Sequence, residues 1–171
     1  MPEVNGRVPA WDAAVRVLHW ALAALVVFNL VRDDGDYVHR VAGYAAVAVV
    51  FARLAWAWLR HPTQLRLSPP ATLAYLRLLA RGQALRTAGH NPVGLWMVWL
   101  LWTLVLLLGL TGWMSRWDMF WGDDRLHDLH AWLADALIAA VGVHLLGVAA
   151  MSWLWKENLP AAMITGRRRP D

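Results

Sequence analysis

The sequence predicts an all-α membrane protein: a four-transmembrane-helix bundle with a short amphipathic interfacial helix in the cytoplasmic loop between helices 2 and 3. Three observations carry this. The chain has 171 residues, 59% apolar and 16% charged, where a soluble domain is nearer 45–50% apolar and about 25% charged. Its charges are segregated between long uncharged stretches. Many of its 13 tryptophans stand near the ends of those stretches: Trp56 and Trp58, Trp113 and Trp117, Trp153 and Trp155. Amphipathic rings gather in this way at the two membrane–water interfaces.

Each span is justified by charge and length. Val17 to Val31 and Thr87 to Ser115 carry no charge; Val41 to Leu59 carries only Arg53, and Leu129 to Trp155 only Asp135. A helix rising about 1.5 Å per residue crosses the hydrocarbon with about 20 apolar residues. The first stretch reaches that length if Ala13 to Arg16 forms the interfacial turn, with Arg16 snorkelling outward. The expected spans are about 14–32, 38–59, 92–115 and 128–154, within a single membrane-embedded domain over 1–171. A soluble bundle would lack polar surface to cover four such stretches. The first apolar run is not followed by a small-residue cleavage pattern and reads as a retained span, not a signal peptide.

Between spans 2 and 3, Ser68, Pro69 and Pro70 signal a helix start. Leu73, Leu76, Leu79 and Ala80 recur at helical spacing, with Arg77 and Arg81 on a neighbouring face. The pattern suits a helix lying on an anionic leaflet better than a docking surface for a soluble partner. Asn91-Pro92 reads as the N-cap and first residue of span 3.

The basic residues orient the bundle. With the N-terminus inside, the cytoplasmic segments hold eleven of them, including Arg60, Arg66, Arg77, Arg81, Arg86, Lys156 and Arg167 to Arg169; the outer loops hold four, Arg32, Arg40, Arg116 and Arg125. The outer loops also carry Asp33, Asp34, Asp36, Asp118, Asp123, Asp124 and Asp128. Both termini therefore face the cytoplasm by the positive-inside rule. The formal charge of +4 follows this topology and does not form a nucleic-acid-binding patch. The absence of cysteine excludes disulfides, thiolate metal sites, iron–sulfur clusters and covalent c-type haem attachment by this chain.

Ionisable residues within a membrane are expensive and mark function by default. Of seven histidines, His19 and His144 lie within spans, and His39 and His130 lie near the outer ends of the second and fourth. His130 and His144 are fourteen residues apart, so they project from nearly one face and stand about 21 Å apart along the axis. One metal cannot bridge that distance, whereas two haems stacked across a bilayer would each take one imidazole. His39 opens the second span, level with His130. His19 lies about 18 Å below the outer end of the first span, close to the depth of His144. The expected axial-ligand pairs are His39 with His130, outside, and His19 with His144, inside. The competing reading is interhelical hydrogen bonding; two depth-matched pairs favour ligation.

Gly43 is one turn after His39 on the same face, which would give room for a flat macrocycle, and Gly147 stands in a similar relation to His144. Arg53 is fourteen residues after His39, at the inner level. Its partner is either an inner-haem propionate or the interface, by snorkelling. Arg40 pairs with either the outer haem or an acidic loop residue. His127 is one turn before His130 and less well aligned with His144. His61 and His90 read as interfacial residues, or as part of an inner proton or quinone site. Asp135 points about 180° from His144 and reads as a polar contact or part of a proton path.

Val17-Leu18-His19-Trp20, Val38-His39-Arg40, Gly89-His90-Asn91-Pro92, the spacing after Leu129-His130, and Glu157-Asn158-Leu159 with Ala162-Met163-Ile164-Thr165-Gly166 resemble the bacterial four-helix cytochrome b561 family. Hydrogenase-type cytochrome b subunits are related. The resemblance runs from about Trp11 to Arg168. It implies two non-covalent haems b with His19, His39, His130 and His144 as iron ligands, and exchange of electrons with the quinone pool. On this reading the chain is a di-haem electron-transfer subunit between quinone and a periplasmic c-type cytochrome or oxidoreductase. The alternative is a superoxide:quinone oxidoreductase acting at the outer haem, as some members of similar size are. Superoxide would need a basic funnel, and the outer loops carry seven acidic residues against four arginines. The sequence leaves a homo-oligomer open.

Overall fold

A computed structural model describes residues 8–9, 11–60, 63–83, 86 and 91–169. Four long helices form the bundle: α1 (Ala13–Val31), α2 (Tyr37–Arg60), α4 (Pro92–Met114) and α5 (Asp124–Leu154). The shorter α3 (Pro69–Ala80) lies between α2 and α4, and α6 (Leu159–Thr165) follows α5. One turn of 3-10 helix (Asp118–Phe120) joins α4 to α5. A two-residue antiparallel pairing links β1 (Val8–Pro9) to β2 (Arg167–Arg168). All four long helices are apolar and long enough to cross a membrane, so the protein is a four-helix membrane bundle.

Local chemistry sets the helix starts. Asp12 caps α1 by accepting from the Val15 N–H at 2.8 Å. Ser68 caps α3 ahead of its two prolines, and Asn91 caps α4 by accepting from the Gly94 N–H at 2.6 Å. The fourth span begins earlier than expected, at Asp124 instead of 128, because Asp123 caps it and accepts from the Arg125 N–H. Helix α6 has no counterpart in the sequence reading. Asn158 caps it, and Gly166 ends it in the left-handed conformation at φ 74°, which glycine adopts without a Cβ penalty.

Helix α1 packs on α2, α2 on α4, and α4 on α5, while α3 lies against α4. Trp96 and Trp99 of α4 anchor the α3 segment by donating to Thr72 Oγ1 and to the Leu65 carbonyl, each at 3.1 Å. The core is a cluster of Ala46, Val50, Trp102, Leu104, Val105, Leu137 and Ala140. Outside it, Trp132 and Leu146 remain 77% and 72% exposed, which in a bundle of this kind is surface for acyl chains. Small residues allow the close approaches that helix association in lipid requires. A Cβ added at Gly109 would collide with Val47 Cγ2, so the Val47 side chain of α2 lies against bare backbone of α4. Gly109→Ala is expected to lower stability by about 1–3 kcal/mol through overpacking, and Val47→Ala in the same chain to recover most of it. Thermal melts in detergent would read both; an unchanged Gly109→Ala melt would show that the helices do not meet this closely.

The end of the bundle opposite the α1–α2 turn is tied by a buried ion cluster. Glu157 is 7% exposed. Its carboxylate accepts from Arg86 Nη2 at 2.7 Å, from Arg168 Nε and Nη2 at 3.2 Å, and from the Arg169 N–H at 2.9 Å. Arg16 of α1 donates to the Ile164 carbonyl at 2.5 Å. The start of α1 is thereby held against α6.

Candidate functional site

Helix α5 is packed against α4 and makes no extensive backbone contact with α1 or α2. Two histidine pairs face each other across that opening. His19 of α1 meets His144 of α5 with ring centres 6.5 Å apart and planes tilted by 48°. His39 of α2 meets His130 of α5 with ring centres 6.4 Å apart and planes at 63°. The two meetings stand at different heights, since His130 and His144 lie on one continuous helix about 21 Å apart along its axis.

The separation within each pair can be set against the distances that each reading of these histidines requires. A direct N–H···N bond of about 3 Å would bring the ring centres to about 5 Å. A metal–imidazole bond of about 2 Å, with the nitrogen about 1.1 Å from its ring centre, sets two opposed rings about 6 Å apart. Both pairs match the second spacing. Among the described residues no group of three or more His, Cys, Asp or Glu side chains could hold a metal ion. Two imidazoles alone do not saturate a metal, and a porphyrin supplies the four further nitrogens. The donor set of each pair therefore fits haem iron.

Hydrogen bonds fix the chemistry of one pair. His39 Nδ1 contacts the Arg32 carbonyl, which can only accept, so Nδ1 carries the proton and Nε2 presents its lone pair. His130 Nδ1 is 2.7 Å from Thr111 Oγ1 on α4. Metal-ligating histidines have such a partner on the other ring nitrogen almost always. The loop before α2 is built around the same histidine. Asp36 accepts from the His39 N–H and from Arg32 Nη2, both at 2.7 Å. The His39 N–H bond, helped by the Arg32 guanidinium, holds the Asp36 carboxyl below the ordinary carboxylate range against a smaller opposing desolvation. His19 is held differently: its Nδ1 is buried without a hydrogen-bond partner.

Arg53 is 6% exposed, with Nη1 buried and without a hydrogen-bond partner, and its guanidinium lies 5.9 Å from the centre of the Trp102 ring. Its guanidinium is enclosed by protein, with the Asp12 carboxylate among the charges that act on it. A buried cation with a donor unused is a fit for an anionic group such as a haem propionate.

A Cβ at Gly43 would stand 3.3 Å from the Asn29 amide, so the missing side chain makes room for α1 at this point. With its amide in the orientation that satisfies both atoms, Asn29 donates to the His39 carbonyl at 3.1 Å and accepts from the Gly43 N–H at 3.0 Å. Asn29 thus braces the first turn of α2 beneath His39. Gly147 faces open space. Arg40 donates from Nη1 to the Gly35 carbonyl of the loop at 2.9 Å. His127 is exposed and outside both pairs, and Asp135 is exposed on the exterior of α5. His61 and His90 lie outside the described residues.

Asn29 and Thr111 were not singled out in the sequence. Both are polar residues within apolar spans, and that rule alone would have flagged them.

No curated protein matches the chain. The family model described as prokaryotic cytochrome b561 matches residues 10–166, from the start of α1 to the end of α6. With two imidazole pairs spaced for iron in a four-helix membrane bundle, the chain belongs to the prokaryotic cytochrome b561 family, whose members bind haem b and transfer electrons in the membrane.

Proposed function

We propose that the chain carries two haems b, one between His19 and His144 and one between His39 and His130. On this reading it transfers electrons across the bacterial inner membrane between the quinone pool and a periplasmic c-type cytochrome or oxidoreductase. The observation that carries the proposal is the pair of imidazole separations, 6.5 and 6.4 Å, at two heights on one bundle. Haem b, when bound, supplies reversible one-electron chemistry at iron. The chain's part would be to hold each iron between two imidazoles, which would leave oxygen no place to bind and favour electron transfer over oxygen activation.

Further residues support the details. Arg53, buried at the His19–His144 level, would hold a propionate there. The basic residues around α3 and the C-terminus put that end in the cytoplasm. The acidic loops near His39 and His130 then face outward, where they would attract a basic redox partner and repel superoxide.

The test is spectroscopic. The purified chain is expected to hold two low-spin haems b, seen in the reduced-minus-oxidised spectrum and in haem quantification, and to be reduced by quinol. A folded, colourless protein would end the proposal. Haem reduction by superoxide, with none by quinol or by basic c-type cytochromes, would transfer it to the superoxide alternative.

A further inference from the structure

We infer that Thr111 is a positioning residue for electron transfer: its hydroxyl fixes the tautomer of His130 and lowers the reduction potential of the haem held between His39 and His130. This rests on the two-haem reading. Thr111 is 5% exposed and belongs to α4, the one long helix that supplies no ligand histidine. Its Oγ1 stands 2.9 Å from the Leu107 carbonyl and 3.2 Å from that of Leu108. Carbonyls only accept, so the single hydroxyl proton points back along α4. The oxygen that faces His130 at 2.7 Å is therefore an acceptor, and His130 Nδ1 must carry the hydrogen. That leaves Nε2 of His130 with a lone pair directed away from α4.

The neighbouring residue completes the seat. A Cβ at Gly112 would stand 3.5 Å from His130 Cε1, so the ring lies against bare backbone one residue after Thr111. Such a bond does more than aim the ring. Drawing the Nδ1 hydrogen toward an acceptor makes the imidazole a stronger donor. A stronger donor favours the oxidised iron, and hydrogen bonding to an iron-ligating side chain is one of the protein's levers on haem potential. The effect is local to one pair, because His19 Nδ1 is buried without a partner.

Thr111→Val keeps the shape and removes the acceptor. In the haem-loaded full chain, a spectroelectrochemical titration is expected to show the reduction equilibrium of one haem moved about tenfold toward the reduced form, or ~59 mV for a one-electron couple. The ferric low-spin EPR signal of the same haem should shift, and the second haem should stay in place. Thr111→Ser keeps the hydroxyl and should match the unsubstituted chain. Loss of that single haem in Thr111→Val, with its retention in Thr111→Ser, would support the same role. Unmoved potentials, equal movement of both haems, or a serine variant that behaves like valine would overturn it. His130→Ala separates the two levels of argument. If it leaves both haems in place, the ligand pairing fails; if it removes one while Thr111→Val moves nothing, only the assignment to Thr111 fails.

Discussion

Replacing His144 with alanine is expected to reduce the haem content of the purified chain from two to one, and to leave the haem between His39 and His130 with unaltered spectral properties. The reason is geometric. Among the described residues His144 meets His19 and no other histidine, while His130, about 21 Å along the same helix, meets His39. The cluster of Ala46, Val50, Trp102, Leu137 and Ala140 lies between the two levels and does not depend on His144. An isolated His19 supplies one nitrogen, and one axial bond holds a non-covalent haem poorly. His39→Ala should do the converse. Haem quantification with circular dichroism separates the outcomes: equal loss of both haems from a chain of unchanged helical content would contradict the pairing.

The second large effect is on stability. Glu157→Gln is expected to cost about 3 kcal/mol, read as a lower melting temperature in detergent. The carboxylate is 4% exposed at its side chain and is shared by Arg86, Arg168 and the Arg169 N–H. A neutral amide keeps the volume and loses the charge that both guanidiniums face. The same cluster makes stability depend on pH. Burial alone would raise the Glu157 pKa, but the Arg169 N–H, Arg168 and Arg86 together outweigh it and hold the carboxyl below its ordinary value. The unfolded chain therefore takes up the proton first as pH falls. The contribution is fully present above the ordinary glutamate range and disappears as pH drops through the lowered folded value. Glu157→Gln should flatten this acid limb of the melting profile, and a profile as steep as the unsubstituted chain's would assign the limb to other groups.

These two sites differ in how far the sequence disclosed them. The histidine pairs were legible because each is defined by height along a helix, and height follows from counting residues at a constant rise. Glu157 was legible only as part of a family-like segment; its burial depends on where α6, β2 and Arg86 meet, after three changes of chain direction. Arg53 lay between. Its depth could be counted, but whether its side chain stayed buried or reached the interface depended on Trp102 and the packing of α2 on α4. Gly43 shows the limit. The residue lies on the same stripe as His39, as counting shows, but its closeness to Asn29 of α1 is a contact between helices that counting along one chain segment does not give.

What the sequence determined by itself was the one-dimensional content: four apolar lengths sufficient to span a bilayer, the Asn91 cap that begins the third, and the heights of four imidazoles. Burial of apolar surface and the helical rise act along the chain, so they can be read along it. What only the tertiary structure decided was which atoms meet across helices: Thr111 beneath His130, Asn29 at the His39 turn, the Arg32 carbonyl at His39 Nδ1. Those contacts depend on the rotation and closest approach of packed helices, set by fits such as Val47 against Gly109. A displacement of a single side chain's width there would exchange one partner for another without altering any span.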